Sequence, residues 1–246
     1  MSSPERCWAP WFSPPASFGQ VPLADIRAAL GRQWQRWGRP NALRVDNGTP
    51  WGNFNDLPTP FALWVAGLGI ALLFNDPGCP QQNPKIERSQ GTGKRWAEPQ
   101  RCQSPHELQA HLDEADRDQR EVYPLGQGPG KGLSRLEAFP GLCHSGRPYS
   151  PRWEQRTWSL PRVQQYLAEF VAIRKVWPSG HIGIYDQGHF VGTQYRGEFV
   201  QVQYDPDQGH WLISDQAGQE LRRHLATEIS REEIYKGKFR KPRKNQ

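Results

Sequence analysis

The chain has 246 residues, a formal net charge of +6 and a sequence pI near 9.3, with 36% hydrophobic and 11% aromatic residues. This length and hydrophobic content suffice for one large or two small globular domains and exclude an intrinsically disordered chain. The basic balance favours polyanionic partners such as nucleic acid.

The first part of the chain alternates predicted helices and strands. Apolar residues at helical spacing predict a helix over 21–38, and a Gly-Arg-Pro sequence ends it before a strand at 41–46. A second helix is predicted around 57–67. The continuous apolar run GIALLF, residues 69–74, is typical of a strand buried on both faces. This helix, strand, helix, strand order predicts an α/β fold.

Two more helices are predicted before residue 124. A loop rich in Pro, Gly and Asn occupies residues 75–84, and the helix after it carries Glu87 in its first turns. The next helix is predicted at 104–123, because Ser104 and Glu107 have the spacing of a capping box. We therefore expect the α/β region to extend to residue 123.

Beyond residue 123 the composition changes twice. Residues 124–158 are rich in Gly, Pro and Arg and are predicted to be a linker, followed by a helix at 160–175. From residue 180 onward, apolar and polar residues alternate in five short segments separated by turn sequences. This pattern predicts a small all-β barrel at 179–235.

The C-terminal segment 236–246 is strongly basic. It can be interpreted as a solvated tail that keeps the protein soluble, or as an arm that contacts phosphates. The basic residues concerned are Lys236, Lys238, Arg240, Lys241, Arg243 and Lys244.

The four cysteines are far apart and include no Cys-x-x-Cys pair, so the sequence indicates neither a zinc site nor a disulfide framework. The N-terminus has prolines and charges where a signal peptide needs an apolar run. No stretch approaches the roughly 18 apolar residues of a membrane span. We therefore expect a soluble, cytoplasmic protein with no membrane partner.

Asp46 is the first candidate functional residue, because it ends the strand predicted at 41–46. The following Asn47 and Gly48 also make Asp46 a candidate for ordinary turn chemistry. In an α/β unit, however, the carboxyl end of a strand faces the crevice in which ligands bind. Glu87 follows the next strand along the chain. Two such carboxylates supply the hard oxygen ligands that Mg²⁺ needs for phosphoryl transfer.

Three segments of the first half resemble the second half of the integrase catalytic core of DDE-type transposases and retroviral-type integrases. They are RPNALRVDNGTPWG (39–52), LGIALLFNDPGCPQQNPKIERSQGTGKRW (68–96) and SPHELQAHLDEADRDQREVYPL (104–125). The resemblance depends on a strand-Asp-Asn-Gly motif and a Pro-Gln-x-Asn-x-x-x-Glu-Arg motif in this order and at this spacing. The segments LEAFPG, GRPYS and 180–206 resemble the C-terminal region of bacterial insertion-sequence transposases of this type.

The resemblance implies an RNase H-like fold in which three acidic residues bind two divalent metal ions, Mg²⁺ or Mn²⁺, and DNA is cut and joined. Asp46 corresponds to the second acid and Glu87 to the third. Asn83, Lys94 and Arg95 are implied to face the DNA substrate, although Asn83 can equally be interpreted as a helix N-cap.

The first acid of the family has no counterpart in this chain. It would lie on a strand some tens of residues before Asp46, and the only Asp upstream, Asp25, is on the helix predicted at 21–38. We therefore expect an N-terminally truncated, inactive copy that binds metal weakly if at all.

The resulting expectation is a partial RNase H-like α/β core followed by an SH3-like barrel. The divisions are a truncated catalytic core (1–123), a linker and helix (124–178), the barrel (179–235) and the basic tail (236–246). The expected function is DNA integration as a mobile-element transposase, with DNA and a second copy of the chain as partners. Two alternatives are a non-enzymatic nucleic-acid-binding module that uses the barrel and tail, and a small barrel that binds protein partners.

Overall fold

The computed structural model describes residues 22–48, 50–52, 56–76 and 84–237, apart from the side chains of residues 84–87, 90 and 142. The described chain is mixed α/β and divides into two compact units. Among the described residues, the first unit contains those in 27–41 and 75–153. The second unit contains those in 22–26, 42–74 and 154–237.

The elements follow in chain order. The helices are α1 (Leu23–Trp37), α2 (Pro60–Gly67), α3 (Pro84–Ala97), α4 (Pro105–Glu121), α5 (Arg135–Ala138), α6 (Pro151–Thr157), α7 (Leu160–Ala168) and α8 (Arg231–Lys236). The strands are β1 (Ala42–Val45), β2 (Ala71–Phe74), β3 (Val171–Lys175), β4 (His181–Ile184), β5 (Gln187–Phe190), β6 (Phe199–Asp205), β7 (His210–Ser214) and β8 (Glu220–Leu225).

Helix α1 confirms the helix predicted at 21–38 and anchors the first unit. Trp34 on its buried face is 1% exposed, and its ring contacts Tyr149 edge-on with centroids 5.4 Å apart. The helix ends at Gly38, which has a φ of +78°. A Cβ atom at this position would lie 2.2 Å from Oγ of Ser145, so only glycine fits both the backbone and the space.

Helix α4 confirms the helix predicted at 104–123, with one difference at its start. The hydroxyl of Ser104 accepts a hydrogen bond of 3.1 Å from the backbone N–H of Glu107, as the capping-box prediction requires. The Glu107 carboxylate, however, accepts from the N–H of Gln103 at 2.7 Å. In a complete capping box the Glu107 carboxylate would accept from the N–H of Ser104, so the observed bond is shifted by one residue.

The segment predicted to be linker contains regular structure that composition did not indicate. Helix α5 begins with a complete capping box between Ser134 and Glu137, and α6 starts at Pro151. The boundaries 1–123, 124–178, 179–235 and 236–246 stay a prediction, and the compact units are assembled from different stretches of chain.

In the second unit, β1 and β2 confirm the strands predicted at 41–46 and 69–74, and they pair in parallel. The register runs from Ala42 opposite Ala71 to Val45 opposite Phe74. The prediction that β2 is buried on both faces is wrong, because its side chains alternate between exposed and half-buried. In the described residues β2 has one neighbouring strand, which leaves part of this short sheet at the surface.

Helix α2, which connects β1 to β2, is the centre of the second unit. Its sequence PFALWVAG is apolar on every side, which is typical of a helix surrounded by protein. The hydroxyl of Thr59 caps its first turn by accepting from the N–H of Ala62 at 3.2 Å. Helices α7 and α8 pack against it. Gly67 allows the close approach of Trp158, which lies between α6 and α7, since a Cβ there would lie 2.2 Å from Nε1 of Trp158.

The C-terminal strands form an open antiparallel sheet and a separate hairpin. All five strands predicted after residue 180 are present as β4 to β8, but the helix predicted at 160–175 is wrong beyond Ala168. Residues 171–175 instead form β3, which pairs with β6. The sheet order is β3-β6-β7-β8, whereas β4 and β5 pair with each other.

The predicted closed barrel is not observed. Because the strands divide between a four-stranded sheet and a hairpin, no sheet in the described part of the chain closes on itself. Period-two alternation predicts that a segment is a strand with one buried face, but it contains no information on sheet closure. The strands predicted in this region are therefore confirmed, whereas its closure into a barrel is not, and the region also contains most of helix α8.

Candidate functional site

Asp46 lies at the position that the sequence predicts, directly after the last residue of β1. Its side chain is exposed. Because β1 and β2 are parallel and Val45 is paired with Phe74, Asp46 is at the carboxyl end of a parallel strand pair. In α/β folds this is the end at which ligands bind.

The turn that follows Asp46 is also present. The carbonyl oxygen of Gly48 accepts hydrogen bonds from the backbone N–H groups of Trp51 at 2.9 Å and Gly52 at 3.1 Å. The Asn-Gly sequence therefore begins a hydrogen-bonded turn, as the alternative interpretation of this segment requires. The two interpretations are compatible, since a turn after the strand leaves the Asp46 carboxylate at the surface.

Glu87 is in the first turn of α3, as predicted, but its side chain is outside the part of the chain that the structure describes. Asp46 and Glu87 belong to different compact units. Their association in one metal site therefore stays a prediction. Asn83 also lies outside the described residues, directly before Pro84 of α3, and both its DNA-facing role and its N-cap role stay predictions.

Lys94 and Arg95 occupy the last turn of α3 and are both exposed. The Arg95 guanidinium donates to the hydroxyl of Thr92 at 3.3 Å on the same helix. Basic residues in a last turn also interact favourably with the helix dipole, so this position has a structural explanation as well. Their exposure leaves them accessible to a phosphate backbone.

Of the six basic residues predicted to form a tail, the structure describes Lys236. It is the last residue of α8, and its ammonium group lies 2.5 Å from a carboxylate oxygen of Glu233. The hydrogen bond to Glu233 raises the pKa of Lys236 above its ordinary value. Lys236 therefore begins the basic run from an ordered helix. The residues outside the described part are Lys238, Arg240, Lys241, Arg243 and Lys244.

The chemistry of the proposed ligands fits a hard divalent cation, because Asp46 and Glu87 both offer carboxylate oxygens. Within the described residues, no group of three or more His, Cys, Asp or Glu side chains is arranged to hold a metal ion. Asp25 is exposed in the first turn of α1, where the sequence placed it. The first acid of the family therefore has no assigned counterpart.

A pair of side chains that sequence reasoning missed holds the segment between Asp46 and α2. Arg174 on β3 forms an ion pair with Asp56 and donates to the carbonyl of Gly183 at 2.9 Å. The hydroxyl of Tyr185 donates to the carbonyl of Pro58 at 2.7 Å. The contacts with Asp56 and Pro58 join residues more than 100 positions apart, so no local pattern could have indicated them.

An arginine and tryptophan cluster in the first unit was also missed. The ring of Trp37 has the guanidinium groups of Arg36 and Arg120 at 4.7 Å and 4.0 Å from its centroid. Asp116 is the acidic member of this cluster. Burial, and then the neighbouring Asp113 carboxylate, raise the pKa of Asp116 to about 6 against the opposing effect of Arg120 and Arg36. The spacing on α4 gave no sign of this contact with α1.

No protein-family model matches the chain. The integrase resemblance therefore depends on the motif residues given above. Across the residues that the structure describes, every helix is too short or too polar to cross a bilayer.

Proposed function

We propose that this chain is an integrase-type protein of a mobile element that acts in DNA integration by metal-dependent cutting and joining of DNA strands. In this proposal the α/β part is a partial RNase H-like core and the C-terminal strands are an SH3-like region. The main support is the position of Asp46 at the carboxyl end of the parallel β1 and β2 pair, together with the position of Glu87 in the first turn of α3.

In the proposed site, Asp46 and Glu87 hold Mg²⁺ or Mn²⁺ through carboxylate oxygens. When bound, such ions would activate an attacking water or 3′-hydroxyl group and would stabilise the leaving oxygen. In this proposal Asn83, Lys94 and Arg95 face the DNA substrate.

The number of ligands limits the activity that we propose. Two carboxylates with one ion cannot stabilise both the attacking and the leaving oxygens of an in-line displacement. Asp25 is exposed in the first turn of helix α1, whereas the first acid of the family lies on a strand. We therefore propose weak metal binding and little strand transfer by this chain.

Titration of the protein with Mn²⁺, followed by calorimetry, tests the proposal. We expect weak binding that is lost in Asp46→Asn and in Glu87→Gln, because each change removes a charged ligand with little change in shape. Asp25→Asn is the matched control, as an exposed Asp outside the proposed site, and should bind Mn²⁺ like the unmodified protein. Binding that is absent, or that persists unchanged in both Asp46→Asn and Glu87→Gln, would overturn the proposal.

A second function is nucleic-acid binding without catalysis. The observation in its favour is that α8 ends at Lys236, so that the basic run leaves from a helix packed in the second unit. We expect affinity for duplex DNA to fall steeply between about 50 and about 200 mM salt through phosphate contacts. Deletion of residues 236–246 should reduce this salt dependence. Equal affinity at both salt concentrations would exclude an electrostatic mode.

A further inference from the structure

We propose that Arg174 and Tyr185 in the C-terminal strands are positioning residues for the segment that follows Asp46. This segment joins β1 to α2, and the structure describes its residues 46–48, 50–52 and 56–59. The consequence for metal binding rests on the function proposed above. The consequence for the conformation of the segment does not.

Arg174 and Tyr185 both bind the segment near its α2 end. The Arg174 guanidinium pairs with the Asp56 carboxylate, and its Nε–H donates to the Gly183 carbonyl at 2.9 Å. The Tyr185 hydroxyl donates to the Pro58 carbonyl at 2.7 Å. One arginine therefore links β3, the β4 strand and the segment, and the tyrosine adds a second link two residues further on.

The backbone at Tyr185 indicates that its side chain is held in place. Tyr185 and Asp186 form the two-residue turn between β4 and β5, with φ values of +46° and +63°. Such turns strongly prefer Asn and Gly, because other side chains clash at positive φ. A tyrosine persists in this conformation where its surroundings determine it, and its ring also contacts Trp211 with centroids 5.9 Å apart.

The Tyr185 hydroxyl remains a donor over the whole working range of pH. Partial burial raises the pKa of Tyr185 well above its ordinary value, and the neighbouring Asp56 carboxylate acts in the same direction. A neutral phenol donates its proton to the Pro58 carbonyl, whereas a phenolate would repel it.

Further contacts carry the constraint toward Asp46. The hydroxyl of Thr59 donates to the carbonyl of Trp51 at 3.2 Å, and the Trp51 ring packs edge-on against Phe61 with centroids 4.9 Å apart. The N–H groups of Trp51 and Gly52 in turn donate to Gly48, two residues after Asp46. Hydrogen bonds, together with the peptide bond between Pro58 and Thr59, therefore connect Tyr185 to Gly48.

The experiment measures backbone amide exchange by NMR in the full chain. The variants are Tyr185→Phe, Arg174→Met and Arg174→Lys, and the amides of Trp51 and Gly52 report on the turn. Tyr204→Phe is the matched control, because Tyr204 also packs on Trp211, at 5.3 Å, and its hydroxyl accepts a hydrogen bond from Gln164 rather than from the segment. The Val202 amide in β6 reports on the stability of the sheet.

We expect Trp51 and Gly52 to exchange about fivefold faster or more in Tyr185→Phe and Arg174→Met, as the loss of one net hydrogen bond implies. Arg174→Lys should restore part of the protection, because lysine keeps the charge that pairs with Asp56. Tyr204→Phe should leave both amides unchanged. Equal effects in Tyr185→Phe and Tyr204→Phe, or faster exchange at Val202 to the same extent, would overturn the positioning role.

Mn²⁺ affinity of the same variants separates this inference from the proposed function. If the unmodified protein binds Mn²⁺ through Asp46, Tyr185→Phe and Arg174→Met should weaken that binding and Tyr204→Phe should not. A protein that binds no Mn²⁺ but shows the expected exchange pattern would refute the proposed function and support the positioning role. Weaker Mn²⁺ binding without faster exchange would refute the positioning role alone.

Discussion

The indole nitrogen of Trp64 donates a hydrogen bond of 3.0 Å to a carboxylate oxygen of Glu154, 90 residues later in the chain. The same oxygen accepts from the hydroxyl of Tyr235 at 2.9 Å. In return, the indole of Trp158 donates to the Trp64 carbonyl at 3.1 Å. Helix α2 is therefore joined by directed bonds to the segment after residue 153 and to α8.

Replacing Glu154 should destabilise the second unit. Glu154 is 5% exposed, and Glu154→Ala leaves the Trp64 indole and the Tyr235 hydroxyl without this acceptor. We expect a loss of about 2–4 kcal/mol in the free energy of unfolding, measured by urea denaturation. Glu154→Gln keeps an oxygen acceptor and should cost clearly less. An equal loss in both variants would show that charge, and not the shared acceptor, is the important property.

The C-terminal strands should not fold without α2. A fragment of residues 154–246 lacks Phe61, Leu63 and Trp64, which are buried in the same unit as β3 to β8. We expect the fragment to show no cooperative thermal transition in near-ultraviolet circular dichroism. A cooperative transition in the isolated fragment would instead favour the independent C-terminal domain at 179–235 that the sequence predicts.

Ionisation of Asp116 should make the first unit less stable as pH rises. Burial and Asp113 raise its pKa to about 6 in the folded chain, from an ordinary value of 3.8. A raised pKa means that the protonated form is favoured by folding, so its contribution is complete below pH 3.8 and is lost as pH rises through about 6.

Asp116→Asn should remove this part of the pH dependence. We expect the variant to gain on the order of 1 kcal/mol relative to the unmodified protein at neutral pH, after allowance for solvent screening, and to differ less at acid pH. Denaturation at a series of pH values measures the difference in stability between the variant and the unmodified protein at neutral and at acid pH. The exposed Asp113→Asn is an informative companion, since it removes the second cause of the raised pKa. A constant difference between Asp116→Asn and the unmodified protein at all pH values would contradict the assignment.

The chain alone should not join DNA strands efficiently. Asp46 and Glu87 supply two carboxylates where the proposed chemistry needs three, and loss of the second metal ion should remove most of the rate. Incubation of labelled duplex DNA with Mg²⁺ or Mn²⁺ and gel analysis of joined products measures this. Robust joining that disappears in Asp46→Asn would show that the chain contains the third ligand after all.

Much of the fold was accessible to sequence reasoning, because periodicity and caps are local. The spacing of apolar residues located α1, and the Ser104 and Glu107 pair located α4. The sequence predicts one helix over 160–175, because the apolar run after α7 is equally compatible with a helix and a strand. Only the pairing of residues 171–175 with β6 decides between them. Closure of the C-terminal sheet likewise depends on partners distant in sequence.

The candidate site likewise contains features that a local sequence pattern predicts and contacts that have no local pattern. The location of Asp46 at a strand end follows from a local pattern, and the structure confirms it. The contacts of Arg174 and Tyr185 with Asp56 and Pro58 join the two halves of the chain and have no local signature. The proposed association of Asp46 with Glu87 also depends on residues that are distant in sequence, and it stays a prediction from motif spacing.

Paramagnetic broadening of NMR signals by Mn²⁺ tests the association of Asp46 with Glu87 most directly. Mn²⁺ held by both carboxylates should broaden the amides of Asn47 and Gly48 and those of Arg88 and Ser89 at the same low metal concentration. In Asp46→Asn both groups of signals should remain sharp at that concentration. Broadening of one group without the other, or broadening that persists in Asp46→Asn, would contradict a shared metal site.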